Sequence, residues 1–110
     1  MVIRVEDEKG NGPYCKYQAY FEGERNDGSL FGMMFWMHCD DHMDHPNAID
    51  DPGIRRGVNT DELFGFATWE QFIEWFTSEE IMLMACNGFY PTMIDVEPTI
   101  VGEKQCLFVR

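Results

Sequence analysis

The residues from 68 to 76 are TWEQFIEWF, and they carry the clearest structural signal in the chain. Thr68, followed three positions later by Gln71, is the capping-box pattern that begins a helix. Apolar side chains then recur at the i, i+3, i+4, i+7 spacing of one helical face. They are Trp69, Phe72, Ile73 and Phe76. Trp75 lies one position off this stripe, so we expect it to be partly exposed and to serve as an aromatic anchor for a partner.

A second helix is predicted directly after the first. Ser78 is placed to cap it, and Glu79 and Glu80 occupy its first turn, where the helix dipole favours acidic side chains. Asn87-Gly88 is typical of a helix carboxyl end.

The segments around these helices predict strands. Residues 2–7 alternate weakly and end at a turn cluster. Residues 92–101 predict another strand interrupted at Pro98, and a two-residue loop at Gly102-Glu103 leads into a returning strand from 104 to 110. We therefore predict an α+β fold, with a small antiparallel sheet covered by two short helices and a carboxyl-terminal β-hairpin. Two cores do not fit in 110 residues, so the chain is predicted to be a single domain spanning residues 1–110.

The middle of the chain gives less specific predictions. Residues 14–21 are rich in aromatics and predict a strand or a short helix, and residues 23–29 predict a loop. Residues 30–36 are apolar, and their pattern does not distinguish a buried strand from a helix. Residues 38–57, with two prolines and five aspartates, predict a long irregular loop.

Composition limits the possible functions. The sequence has no run of 18 apolar residues and no signal-peptide pattern, so we expect a cytoplasmic protein with no membrane partner. In the cytoplasm, its four cysteines are expected to be reduced thiols. Twenty acids against eight bases give a net charge of −12. This charge disfavours direct binding of nucleic acid and favours a basic partner.

One long stretch of the sequence contains acidic residues but no basic ones. Residues 57–103 contain nine acids and neither lysine nor arginine. Glu70 and Glu74 stand at i, i+4 on the first helix, where like charges destabilise by a few tenths of a kcal/mol, roughly. Carboxylates on a rigid scaffold can imitate nucleic-acid phosphates, and the alternative is a surface that only keeps the protein soluble. The predicted partner-binding residues are Asp61, Glu62, Glu70, Glu74, Glu79, Glu80 and Trp75, together with Asp40, Asp41 and Asp44 of the loop.

All three histidines lie in residues 37–45, which are MHCDDHMDH. His38, Cys39, His42 and His45 are a candidate zinc-ligand set, and the alternative is a polar surface loop. The chain has no second ligand cluster and no H-E-x-x-H pattern, so we predict neither a metal nor another cofactor. It also has no nucleophile elbow, phosphate loop or dinucleotide fingerprint, and we predict that it is not an enzyme.

Short landmarks along the whole chain resemble a family of small acidic proteins encoded by phages and prophages. They are Arg4-Val5-Glu6-Asp7, Gly12-Pro13-Tyr14, His45-Pro46, Asp50-Asp51, Phe64-Gly65-Phe66, Trp75-Phe76 and Gln105-Cys106-Leu107-Phe108. The resemblance implies a mobile-element protein that acts in a bacterial host cell, and an anti-defence inhibitor such as an anti-CRISPR protein. The Arg4 strand and the Gly-Pro-Tyr turn also resemble the amino-terminal part of ADP-ribosyltransferase-like domains.

Two functions therefore stand as hypotheses. In the first, the protein inhibits a host defence complex, such as a CRISPR effector, by occupying its basic nucleic-acid-binding surface. In the second, it is a small metal-binding or ADP-ribosyltransferase-like enzyme. Acidic side chains grouped on one face would favour the inhibitor, whereas a concave pocket lined by histidine and arginine would favour the enzyme.

Overall fold

The computed structural model describes residues 1–14, 34, 37–38 and 40–110, and within them it confirms an α+β fold. The strands are β1 (Val2–Glu6), β2 (Glu62–Gly65), β3 (Tyr90–Ile94), β4 (Ile100–Val101) and β5 (Cys106–Val109). The helices are α1 (Trp69–Trp75) and α2 (Ser78–Cys86), and a short 3-10 helix spans Ala48–Asp50. The elements predicted for 14–21, 23–29 and 30–36 lie outside the described residues, apart from Tyr14 and Met34.

The strands form two small antiparallel sheets. β1 pairs with β3, and β5 lies between β2 and β4. Ile3 and Phe66 join the two sheets through a reciprocal pair of backbone hydrogen bonds, Ile3 N to Phe66 O at 2.8 Å and Phe66 N to Ile3 O at 2.7 Å. The segment predicted as one interrupted strand from 92 to 101 is therefore two strands, one in each sheet.

Helix α1 buries a different stripe from the predicted one. Phe72, Trp75 and Phe76 are in the core, whereas Trp69 is 44% exposed and Ile73 is 61% exposed. The prediction that Trp75 is partly exposed is wrong, because only 8% of the residue is exposed. Both stripes satisfy helical spacing, so the choice between them depends on what packs against the helix.

The amino end of α1 is capped as predicted, with one difference. The Thr68 hydroxyl accepts the backbone N–H of Gln71 at 3.1 Å. The Gln71 side chain does not bond back to Thr68. Its Oε1 accepts the N–H of Ala67 at 2.9 Å, and its Nε2 donates to the Gly102 carbonyl at 2.9 Å. Gln71 thus ties α1 to the β4–β5 hairpin.

Helix α2 begins one residue earlier than predicted. Thr77, and not Ser78, is the N-cap, and Glu80 completes a capping box with it. Asn87 is the C-cap, and Gly88 follows with a φ of 86°, which confirms the predicted end of the helix.

The carboxylate of Asp51 holds the β4–β5 hairpin. Asp51 is fully buried, and it accepts the N–H groups of Glu103 at 2.6 Å and Lys104 at 3.0 Å. The Gly102 N–H donates to the Gln105 carbonyl at 2.7 Å, so Glu103 and Lys104 are the two central residues of the loop. The predicted loop at Gly102-Glu103 is therefore displaced by one residue.

The predicted irregular loop from 38 to 57 is anchored to the rest of the fold. Ala48 and Ile54 form a small buried cluster with Leu107 of β5. His38 and Asp40 have helical backbone, and the 3-10 helix lies further along the segment. No helix in the described part of the chain is long and apolar enough to cross a membrane.

Candidate functional site

The outer face of α1 carries acidic and apolar side chains side by side. Glu70 and Glu74 are exposed at i, i+4 as expected, and the exposed residues Trp69 and Ile73 lie beside them on the same face. Glu79 is exposed in the first turn of α2. We call the side chains of Trp69, Glu70, Ile73 and Glu74 the α1 face.

Two of the predicted partner-binding acids bind groups of the chain itself. Glu62 is buried, and Arg56 donates to its two carboxylate oxygens at 2.7 and 2.8 Å. This bidentate hydrogen bonding lowers the pKa of Glu62 to about 2. Glu80 accepts the Thr77 N–H at 2.9 Å and also binds His38. Both carboxylates already bind groups of the chain, and their role in partner binding stays a prediction.

A chain of hydrogen bonds joins α1 to α2 through Tyr14 and His38. Trp75 Nε1 donates to the Tyr14 hydroxyl at 2.8 Å, and this hydroxyl lies 2.6 Å from His38 Nδ1. His38 Nε2 lies 2.6 Å from Glu80 Oε2. An indole N–H can only donate and a carboxylate can only accept, so with His38 neutral the hydroxyl donates to Nδ1 and Nε2 donates to Glu80.

His45 packs directly on His38. The two rings stack with their centroids 3.8 Å apart, and His45 Nε2 donates to the Trp75 carbonyl at 2.6 Å. Burial and the neighbouring His45 lower the pKa of His38, and Glu80 and Asp41 oppose this shift only in part. The neutral form of His38 is therefore favoured.

The remaining predicted acids lie at two places. Asp41 is 3.3 Å from His45 Nδ1, and His45 in turn reaches the last residue of α1, so this acidic loop lies beside the α1–α2 junction. Asp40 and Asp44 are exposed in the same loop, and Asp61 is exposed in the turn before β2. Of the loop acids, Asp41 is the one that the bonds of His45 place beside the α1–α2 junction in the described part of the chain.

The histidines do not assemble the alternative zinc site within the described residues. The ring nitrogens of His38 and His45 bond to other groups, His42 is exposed, and Cys39 lies outside the described residues. No group of three or more potential ligands in the described part of the chain is placed to hold a metal ion. The alternative of a polar surface loop is wrong for His38, which is only 6% exposed.

The two described cysteines are free thiols in different surroundings. Cys106 is buried in β5, and this burial raises its pKa to about 12, whereas Cys86 is exposed at the end of α2. Cys15 and Cys39 lie outside the described residues.

A cavity of about 500 Å³ opens beside the Tyr14–His38–Glu80 hydrogen bonds. Polar side chains from four parts of the chain line it, and aromatic side chains form much of the rest. The polar or titratable ones are Arg4, Tyr14, His38, His45, Asn47 and Gln105, and the other aromatic ones are Phe64, Phe66, Trp75 and Phe76. None of the described residues that line the cavity is acidic. The sequence analysis missed this cavity, although most of the described residues that line it belong to the landmarks, among them Arg4, Tyr14 and Gln105.

The chain matches, over residues 1–110, the sequence model of the family described as Bacteriophage T4 Y00F protein. The protein belongs to this phage family. Membership confirms the resemblance to phage-encoded proteins. Comparison with curated proteins and with solved structures gave no match.

Proposed function

We propose that this phage protein binds a basic, nucleic-acid-binding surface of a host defence complex, most simply a CRISPR effector, in the cytoplasm of the bacterial host. The α1 face carries the proposal. Its carboxylates, Glu70 and Glu74, pair with no side chain of the described residues, and no lysine or arginine occurs between 57 and 103. The negative charges on such a surface repel one another. This repulsion is the energetic cost expected of a surface that has to attract a cationic partner.

The fold supports this function by holding α1 in place. Gln71 bonds to the β4–β5 hairpin, and Trp75 bonds to Tyr14 from the buried side of the helix. Side chains on a fixed helix lose less freedom when a partner binds. Each exposed ion pair is worth only ~0.2–1 kcal/mol, so several have to act together.

Trp69 and Ile73 add apolar area to the same surface. Trp69 is half-exposed and rests edge-on against Phe72, with ring centroids 5.6 Å apart. Tryptophan is enriched among the residues that contribute most to protein interfaces, so Trp69 takes the anchoring role that the sequence had suggested for Trp75. The proposed partner surface therefore combines basic side chains with an apolar site.

A second candidate function rests on the cavity, because a concave pocket lined by Arg4, His38 and His45 is the feature that favours an enzyme. In this alternative, His38 takes a proton from the Tyr14 hydroxyl while Glu80 stabilises the resulting imidazolium. The inhibitor has the better support, because the histidine nitrogens are already used inside the fold, whereas the α1 carboxylates are not.

A competition assay tests the proposal. A purified CRISPR effector carrying its guide RNA is incubated with fluorescent target DNA and increasing amounts of the protein. We expect the protein to displace the DNA, and the double variant Glu70→Lys/Glu74→Lys to lose this ability. Asp95→Lys/Glu97→Lys makes the same charge change at exposed positions outside both helices and should still compete. Equal competition by both variants would exclude the α1 face as the binding surface.

A further inference from the structure

We propose that the cavity beside Tyr14 and His38 binds an uncharged, planar nitrogen heterocycle that donates an N–H group, the chemical class to which the nucleobases belong. The acceptor for this N–H is Oε1 of Gln105. The binding is independent of the α1 face and requires no protein partner.

Gln105 carries an amide oxygen that the described part of the fold leaves without a donor. The residue lines the cavity and is only 3% exposed, and its Nε2 donates to the Pro46 carbonyl at 2.7 Å. A carbonyl can only accept, so this bond fixes which end of the amide is the nitrogen. Among the described residues, no group donates to the other end, Oε1. Because buried polar atoms usually have a partner, we expect Oε1 to accept a hydrogen bond from a ligand.

The cavity gives a ligand access to this oxygen. In the described part of the chain, Oε1 of Gln105 is not one of the side-chain atoms that are both closed off from solvent and unpartnered. Pro46, which holds the nitrogen end of the amide, also lines the cavity, and so does its neighbour Asn47. Asn47 is exposed, and its side chain makes no capping bond to the 3-10 helix that follows it. Two amide side chains therefore line this part of the cavity.

The other polar groups of the described wall offer a ligand less. Both ring nitrogens of His38 and both of His45 already have partners inside the fold. Arg4 donates to the Phe64 carbonyl at 2.6 Å and lies 3.4 Å from Glu6, and the proposed ligand needs no contact with it. The groups that remain to bond a ligand are amides, which carry no charge. They suit an uncharged ligand, because a charged one would lose its hydration without gaining an ionic partner from them.

The apolar part of the wall suits a flat ring. Phe66, Trp75 and Phe76 line the cavity from the core side. Aromatic side chains bind a planar ligand by offset stacking or edge-on contact. A volume of about 500 Å³ is within the usual range for small-molecule sites. The aromatic side chains would thus bind the ring, and the Gln105 amide would bind an N–H at its edge.

The test is isothermal titration of the full chain with two matched probes at slightly alkaline pH. Benzimidazole is uncharged there and donates an N–H, and N-methylbenzimidazole has the same rings but a methyl group in place of that hydrogen. We expect benzimidazole to bind about threefold or more tightly, which is the usual effect of one hydrogen bond between uncharged groups. A smaller ratio, or no binding of benzimidazole at millimolar concentration, would overturn the proposal. Benzoate carries a ring and a charge but no N–H, and binding of benzoate as tight as that of benzimidazole would also overturn it.

Nuclear magnetic resonance of the isotope-labelled chain locates the site. Benzimidazole should shift the side-chain amide signals of Gln105, which lines the cavity. The corresponding signals of Gln71 are the matched control, because this amide bonds the β4–β5 hairpin and does not line the cavity, so they should stay in place. Equal shifts for the two glutamines, or no shift for Gln105, would contradict a site in this cavity.

The variant Gln105→Met tests the acceptor itself. Methionine has a flexible, unbranched side chain that fills space of similar length but offers no amide oxygen. The variant should bind benzimidazole and N-methylbenzimidazole equally, with circular dichroism as the check on folding. A folded variant that keeps the wild-type preference would overturn the proposal. If Gln105→Met does not fold, the comparison of the Gln105 and Gln71 signals decides.

Discussion

The imidazole rings of His38 and His45 stack nearly parallel, with their centroids 3.8 Å apart and their planes 14° apart. Two imidazolium ions at this distance would repel each other, so the stack favours a state in which at least one ring is neutral. His38 is the ring whose burial lowers its pKa, and it links Tyr14 to Glu80. The packing of α1 and α2 against the amino-terminal segment therefore depends on the protonation state of His38.

Folding stability is expected to fall as the pH decreases below 6.5, the ordinary pKa of histidine. Because the pKa of His38 is lowered in the folded protein, the unfolded chain takes up the proton first. The contribution of His38 to the free energy of unfolding is fully present above pH 6.5. It is lost as the pH falls from 6.5 toward the lower pKa that His38 has in the folded protein. Urea unfolding between about pH 8 and pH 5 measures this slope. His38→Asn should flatten it, with His42→Asn, at an exposed position, as the matched control.

Glu80→Ala should destabilise the protein far more than Glu79→Ala. Losing Glu80 removes half of the α2 capping box and leaves His38 Nε2 without its carboxylate, for a total of about 2–4 kcal/mol. Glu79 is exposed, and its removal should change the unfolding free energy by less than about 0.5 kcal/mol. Urea unfolding of both variants at about pH 7.5 makes the comparison. Similar losses for the two would show that the Glu80 bonds contribute little.

Asp51→Ala should destabilise by about 3 kcal/mol or more, because three backbone N–H groups lose a buried carboxylate acceptor. Asp50→Ala, at the neighbouring exposed position, should have little effect. Gly102→Ala gives an independent test, since a Cβ there would lie 2.5 Å from the Asp51 carboxylate. If thermal unfolding shows the same loss of stability for Asp50→Ala as for Asp51→Ala, the Asp51 carboxylate does not hold the hairpin.

The isolated protein is expected not to bind DNA or RNA. Its net charge is −12, and Arg56 and Arg110 are each paired with a glutamate. Phosphates would therefore meet mostly carboxylates. Fluorescence anisotropy with labelled DNA and RNA at low salt should show no binding up to about 100 μM, the range of weak non-specific association. Nanomolar binding at physiological salt would contradict the proposal that the acidic surface takes the place of nucleic acid.

The sequence predicted the elements whose signals are local. The Thr68 cap, the Asn87-Gly88 helix end and the first strand depend on neighbouring residues, and all three occur as expected. The buried side of α1 was mispredicted because two stripes fit helical spacing. Trp75 is held on the buried side by a hydrogen bond that it donates to the Tyr14 hydroxyl, 61 positions away. Such a contact leaves no local pattern.

The candidate site was harder to predict, because carboxylates of the same type have different roles. Glu70 and Glu80 both sit on predicted helices, but only Glu80 meets a buried histidine. The sequence does contain one local signal for the role of Glu80, because Thr77 and Glu80 have the spacing of a capping box. The prediction of Ser78 as the N-cap overlooked this pair. The cavity combines residues from opposite ends of the chain, including Arg4 and Gln105, so spacing in the sequence could not indicate it.

The most direct test of the central claim is the affinity of the host effector for a charge-reversed α1–α2 surface, measured across a range of salt concentrations. The variant Glu70→Lys/Glu74→Lys/Glu79→Lys keeps Glu80, so it should fold normally. Its folding stability should increase slightly, because the repulsion between the acidic side chains is relieved. We expect wild-type affinity to fall as salt rises and the variant to bind at least about tenfold more weakly at low salt. Glu8→Lys/Asp95→Lys/Glu97→Lys, at exposed positions outside both helices, should bind like wild type. A folded Glu70→Lys/Glu74→Lys/Glu79→Lys variant that binds as tightly as wild type, with no dependence on salt, would contradict the account.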